Sequence, residues 1–150
     1  MLKTLIVNLI ISLGVGGLSA FLTRDSMDIY NYIAVPAFAP PSSVFPIVWT
    51  ILYVLMAVSV TLVYEGSPKS SGIVAYGLQL LVNFIWPLFF FNGRMFSASF
   101  VVLIILWLLV ILMIYEFYKV NKTAAYLQIP YLLWLTFAAY LNWNIYLLNR

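Results

Sequence analysis

The chain is predicted to be an all-α integral membrane protein, a five-transmembrane-helix bundle with a long Pro-rich first loop. Three observations predict it. Of 150 residues, 65% are hydrophobic and only 7% charged, and the mean hydropathy is +1.08; an average soluble domain carries about 25% charged residues and cannot cover its surface with so few. The 7 Lys and Arg and 4 Asp and Glu leave long uncharged stretches between them. Prolines 36, 40, 41 and 46 interrupt one of those stretches and no other so heavily.

Each element follows from the charge spacing. A helix needs about 20 apolar residues to cross a hydrocarbon core of about 30 Å. The uncharged stretches 4–23, 70–93, 95–115 and 123–149 each fit one such helix. The stretch 29–64 is too long for one helix and too short for two with a turn. Its first part, AVPAFAPPSSVFP, resolves this: Pro removes a backbone donor and disfavours helix in the residue before it. Residues 25–42 are therefore expected to form an ordered loop. Ser42 or Ser43 is expected to cap the next helix, with Pro46 tolerated near its first turn. Helices are predicted near 4–24, 43–65, 69–92, 95–119 and 123–148, in a single domain spanning 1–150. Three short connections make sequential neighbours antiparallel. A β-barrel is rejected because the apolar runs are continuous rather than alternating. Lys3, Ser19 and Ala20 fit a signal peptide loosely, but the apolar run is long for one. Lys3, Lys69, Lys119 and Lys122 fall on one side and Arg24, Arg94 and Arg150 on the other, which leans toward a cytoplasmic N-terminus in a bacterial cell membrane.

The missing residue types exclude chemistry. With no Cys and no His there is no disulfide, no thiolate or imidazole metal site and no Ser-His or Cys-His catalysis. No metal site and no built-in cofactor are expected. Asp25, Asp28, Glu65 and Glu116 all fall at predicted span boundaries, which argues against a proton pump, an ion-coupled transporter or a cation channel. Paired-carboxylate catalysis has no mid-membrane carboxylates to use. No basic cluster points to nucleic acid.

What remains is aromatic and amide chemistry. Trp49 and Tyr53 share a face of the second helix at i,i+4, and Gln79, Asn83 and Trp86 form a stripe on the third. Tyr131, Trp134, Ala138 and Asn142 form another on the fifth. An unpaired amide in hydrocarbon is costly, so Gln79, Asn83 and Asn142 should face the bundle. There they either glue helices together or line a ligand pocket. A pocket walled by Trp49, Trp86 and Trp134, with Ala138 leaving room beside Trp134, suits a large planar aromatic molecule. Trp107 has Leu and Val around it and no polar companion, and is expected to be core or lipid-facing. Ser12, Gly16 and Ala20, with Gly14 and Gly17 beside them, let the first helix approach another closely, within the chain or between copies.

Three segments resemble the TspO/translocator protein family of tryptophan-rich sensory proteins and peripheral benzodiazepine receptors. Residues 36–53, PAFAPPSSVFPIVWTILY, are similar to the family's P-x-W-x-P-P…P-V-W-x-x-L-Y. Residues 79–90, QLLVNFIWPLFF, are similar to Q-L-x-L-N-x-x-W-x-x-x-F-F, and residues 130–142, PYLLWLTFAAYLN, to P-Y-L-x-W-x-x-F-A-x-x-L-N. Phe38 replaces the first Trp of the pattern, and Trp143 stands where animal members carry the Tyr of a cholesterol motif, which weakens the case for cholesterol despite Leu141, Tyr146 and Arg150. The resemblance implies a five-helix, homodimeric membrane receptor or sensor. It would bind porphyrins such as protoporphyrin IX and haem, and synthetic benzodiazepine-receptor ligands of the isoquinoline carboxamide class. It implies a pocket of Tyr30, Pro40, Trp49, Tyr53, Asn83, Trp86, Trp134 and Ala138, to which the stripes add Gln79 and Asn142. It also implies Trp49 and Trp134 as the residues of a light- and oxygen-dependent porphyrin breakdown, the one catalytic role expected. A carrier of sterol, lipid or tetrapyrrole is the alternative.

Overall fold

The computed structural model describes residues 1–150, except for the side chain of Tyr30. Helix α1 (Leu2–Thr23) leads into a 3-10 helix at Arg24–Asn31 and an irregular stretch. Then come α2 (Val44–Gly66), α3 (Ser71–Pro87), which continues as a π-helical turn at Leu88–Asn92, α4 (Phe96–Val120), α5 (Lys122–Leu127) and α6 (Ile129–Asn149). Among the described residues there are five spans long and apolar enough to cross a membrane, α5 and α6 together forming the fifth. The chain is a multi-pass integral membrane protein. Its outer surface is apolar, with Leu2, Ile10 and Leu133 each about two-thirds exposed, as a lipid-facing surface requires.

Local chemistry explains where the helices start and stop. Ser70 accepts a hydrogen bond from the Gly72 N–H and caps α3, and Asn121 does the same for α5 through Ala124 N–H at 3.0 Å. Ser43 precedes α2 but makes no side-chain cap, contrary to expectation. Its backbone is already helical (φ −66°, ψ −19°), and turn bonds from Val44 and Phe45 N–H to the Pro41 and Ser42 carbonyls serve the helix start instead.

Three elements differ from the sequence reading. The first loop opens with the 3-10 helix, because nothing before Pro36 forbids coiling. Its Ile29 is fully buried. The third helix leaves α geometry after Pro87, which lacks the N–H that would bond the Asn83 carbonyl; the Gly93 N–H then reaches back to the Leu88 carbonyl at 2.9 Å. The fifth span is two helices, broken at Gln128. Pro130 is the cause: with no N–H it cannot bond across the break.

The bundle closes unevenly. α3 packs along α4, α1 along α2 and α3, and α4 along α5 and α6. α2 packs against the short α5, yet the backbones of α2 and α6 stand apart. Aromatic rings bridge that gap: Phe45 on Trp134 at 5.7 Å, and Trp49 on Tyr131 at 6.2 Å between centroids. The main core runs through Met56, Val60 and Val63 of α2, Leu106, Val110, Met113 and Phe117 of α4, and Leu135 of α6. A second cluster lies where the first loop meets the bundle, around Ile29, Phe90, Leu141 and Ile145. The loop is latched there by Asn149, whose amide donates to the Ala34 carbonyl at 2.7 Å and accepts from the Ala34 N–H at 2.9 Å.

Candidate functional site

The gap between α2 and α6 holds a cavity. Its walls are Phe45 and Trp49 from α2, Trp86 and Phe90 from the third span, and Trp134, Ala138, Leu141, Asn142 and Ile145 from α6. Five of the residues expected at a site from the sequence therefore converge: Trp49, Trp86, Trp134, Ala138 and Asn142. Three indoles on three helices face one space. The π-helical turn is part of this geometry, since it carries Phe90 round to stack on Trp86 at 5.2 Å; such turns recur at functional sites.

The space is nearly closed. About 20 Å³ is open to the centre of a water-sized body, room for about one water. Drug-sized ligands occupy pockets of about 300–1,000 Å³. A planar aromatic guest would have to part the rings that now touch.

Tyr53, Gln79 and Asn83 do not line this cavity. They form a chain of hydrogen bonds beneath it. The Tyr53 hydroxyl donates to Asn83 Oδ1 at 3.0 Å, Asn83 Nδ2 donates to Tyr131 Oη at 2.7 Å, and the Tyr131 hydroxyl donates to Gln79 Oε1 at 2.7 Å. Gln79 Nε2 ends the chain on the sulfur of Met56. Buried amides and phenols thus satisfy one another, as the hydrocarbon demands. Trp49 rests on this platform, its ring 5.9 Å from Tyr53. Pro40 is half-buried in the loop and is not among the cavity walls. Tyr30 lies outside the described side chains.

Asn142 is also committed. Its Oδ1 accepts from Trp86 Nε1 at 3.1 Å and from the Ser99 hydroxyl at 3.0 Å, while Nδ2 donates to the Phe96 carbonyl at 2.9 Å. Trp134 differs. Its Nε1 is buried and has no hydrogen-bond partner among the described residues. Of the polar side-chain atoms at the cavity wall, this indole N–H is the one that is both fully buried and without a protein partner among the described residues.

Sequence reading missed four walls: Phe45, Phe90, Leu141 and Ile145. Phe45 and Phe90 lie four residues from Trp49 and Trp86, and Leu141 and Ile145 lie three and seven from Ala138, so the same helical spacing that found the tryptophans marked them too. Trp107 does have a polar companion: its Nε1 donates to Thr136 Oγ1 on α6 at 2.9 Å. A partner on another helix is invisible to spacing along α4. Ser12 and Gly16 turn inward, Ser12 hydrogen-bonded to Tyr76 and Gly16 against the Tyr53 ring, so that part of the small-residue stripe packs within the chain.

Comparison with known proteins fits this arrangement. Residues 7–148 match the TspO/MBR family. The chain belongs to the TspO/MBR family. It is 33% identical over 149 residues to the tryptophan-rich protein TspO of Chlorobaculum tepidum, covering 97% of this chain and 94% of that one. It is 36% identical over 148 residues to the TspO of Archaeoglobus fulgidus, covering 97% and 96%. Similarity extends to the translocator protein of Ovis aries, 31% identical over 126 residues, covering 81% of this chain and 75% of that one. TspO/MBR membership agrees with the five spans and places the chain among membrane proteins of a sensor and receptor type.

Proposed function

We propose that this TspO/MBR chain is a membrane receptor for porphyrins, protoporphyrin IX and haem among them, and for isoquinoline carboxamide-type ligands. The observation that supports it is the convergence of Trp49, Trp86 and Trp134 on one cavity, with the Trp134 N–H buried and unpartnered among the described residues. Indole faces supply stacking for a flat macrocycle. The free N–H supplies an orientation for an acceptor such as a carboxylate or carbonyl oxygen. Ala138 keeps the wall low beside Trp134. The Tyr53–Asn83–Tyr131–Gln79 chain serves as a rigid floor rather than as a set of ligand handles.

The test is a titration with protoporphyrin IX in detergent or nanodiscs, in the dark. Saturable quenching of indole emission is expected, and Trp107→Phe leaves the curve unchanged because that ring is engaged with Thr136 away from the cavity. Quenching that never saturates and equals that of free indole in empty micelles refutes the pocket.

A light-driven porphyrin breakdown belongs to the same proposal, since Trp49 and Trp134 both border the cavity. So does a homodimer: Gly14 and Gly17 on α1 have open space over them, where a helix of a second copy can approach closely. A cytoplasmic N-terminus in a bacterial cell membrane is part of the proposal, supported by four basic residues on its side (Lys3, Lys69, Lys119, Lys122) against three on the other (Arg24, Arg94, Arg150).

A further inference from the structure

We propose that the ligand reaches the pocket sideways from the bilayer, through a groove between α2 and α6, with the Trp134 ring as the moving wall. This rests on the pocket reading above and adds the route to it.

Four observations carry it. First, the outer face of the α2–α6 gap is a groove of about 420 Å³, lined by Val48, Ile51, Leu52, Leu55, Leu133 and Trp134, with Pro130 and Phe137 at its edges. It lies within two membrane spans, so it opens to hydrocarbon rather than to water. Second, Trp134 borders both this groove and the inner cavity. One indole separates a wide outer space from a nearly closed inner one. Its N–H bonds to nothing among the described residues, so no hydrogen bond holds the ring in place.

Third, the side of α6 that faces α2 is closed by side chains and not by backbone packing. The helix is tied to α2 at the break, where Gln128 Nε2 donates to the Leu55 carbonyl at 3.2 Å and to the Ser59 hydroxyl at 2.7 Å. Tyr131, Thr136 and Asn142 hold α6 on α3 and α4, so the gap to α2 is closed by rings alone and opens as the Trp134 ring turns away from Phe45. Fourth, the aqueous side is shut. Ile29, Phe90, Leu141 and Ile145 are buried together under the loop, and Asn149 latches the loop at two points. The occupant of the groove is therefore the pocket's own planar, membrane-partitioning ligand in transit from the bilayer.

A lateral portal has a kinetic signature. Narrowing it slows passage in both directions and leaves the bound state alone. Leu133→Trp and Ile51→Trp fill the groove from exposed lipid-facing positions that do not border the inner cavity. The experiment is rapid mixing of protoporphyrin IX with full-length protein in nanodiscs, followed by porphyrin absorbance so that the added indoles do not interfere. Association and dissociation are expected to slow together by about tenfold in each groove variant, with Kd unchanged within about twofold, as a gate rather than a contact requires. The unchanged Kd also certifies the fold. Asn149→Ala, which frees the loop latch, is expected to leave both rates as in the unmodified chain. Wild-type rates in both groove variants, or acceleration in Asn149→Ala, overturn the portal while leaving the pocket standing. Absence of saturable binding in the unmodified chain overturns the pocket and the portal together.

Discussion

Trp86 and Trp134 face the same cavity with their indole nitrogens in opposite circumstances. Trp86 Nε1 spends its hydrogen on Asn142, and Trp134 Nε1 on nothing among the described residues. Trp86→Phe should therefore destabilise the bundle by about 0.6–1.7 kcal/mol, the range of interhelical hydrogen bonds in membranes. Trp134→Phe removes a buried donor that had no bond to lose, so its thermal midpoint in detergent should stay at or above that of the unmodified chain. Its porphyrin affinity should fall modestly. A thermal loss in Trp134→Phe equal to that in Trp86→Phe contradicts the assignment. Ala138 is read the same way. Ala138→Leu pushes into the space beside Trp134, where overpacking costs about 1–3 kcal/mol. Weakened binding of bulky ligands by a folded protein is expected, measured by titration beside a size-exclusion profile. Unaltered affinity for every ligand would make Ala138 a helix contact only.

At the scale of elements, the close approach of α1 to α2 depends on Gly16. A Cβ at that position would stand inside the contact distance of the Tyr53 ring. Tyr53 carries the first bond of the buried chain to Asn83, so a displaced ring loosens α1, α2 and α3 at once. Gly16→Val should cost about 1–3 kcal/mol and lower the thermal midpoint, whereas Gly17→Val, with open space above it within one chain, should leave the midpoint of the monomer in dissociating detergent unchanged. Equal effects would mean that α1 is not held by this contact. The elements also show what the sequence could reveal. Charge spacing and proline placement located five spans and the long loop, because both act through local chemistry. Helical periodicity found Trp49, Trp86, Trp134, Ala138 and Asn142, because residues on one stripe must face one way. It did not show that Gln79, Asn83 and Tyr53 are used up on one another and on Tyr131, since Asn83 and Tyr131 are 48 positions apart. Periodicity gives the face of a helix and not the neighbour it meets. The break at Gln128 was missed for another reason: the uncharged stretch 123–149 read as one span, and the N–H that Pro130 lacks within it was not weighed.

At the scale of the whole molecule, the question is whether a closed aromatic cavity without His, Cys or a mid-membrane carboxylate can do more than bind. Ordinary acid–base or nucleophilic turnover lacks its groups. A bound porphyrin changes this, because under illumination it is its own chromophore and molecular oxygen is the oxidant. Adding one O₂ across one methine-bridge double bond, with cleavage of that bond, leaves two carbonyl oxygens and a bilin-like open chain. The protein's part would be to hold the macrocycle against Trp49 and Trp134, whose rings border the cavity and are the oxidisable groups next to it. Trp49 also touches Tyr53 and Tyr131, so an oxidised indole there has phenols beside it to share the hole. Trp49→Phe and Trp134→Phe keep an aromatic wall, so binding should drop only modestly while photoconversion drops sharply. Unmodified chain and both variants are to be illuminated at equal porphyrin occupancy in air, following loss of the porphyrin band and the mass of the product. The expected product is heavier than the porphyrin by one O₂, formed fastest in the unmodified chain. Bleaching of all three at the rate of free porphyrin in detergent would reduce the protein to a binder, with the two indoles serving as walls and nothing else.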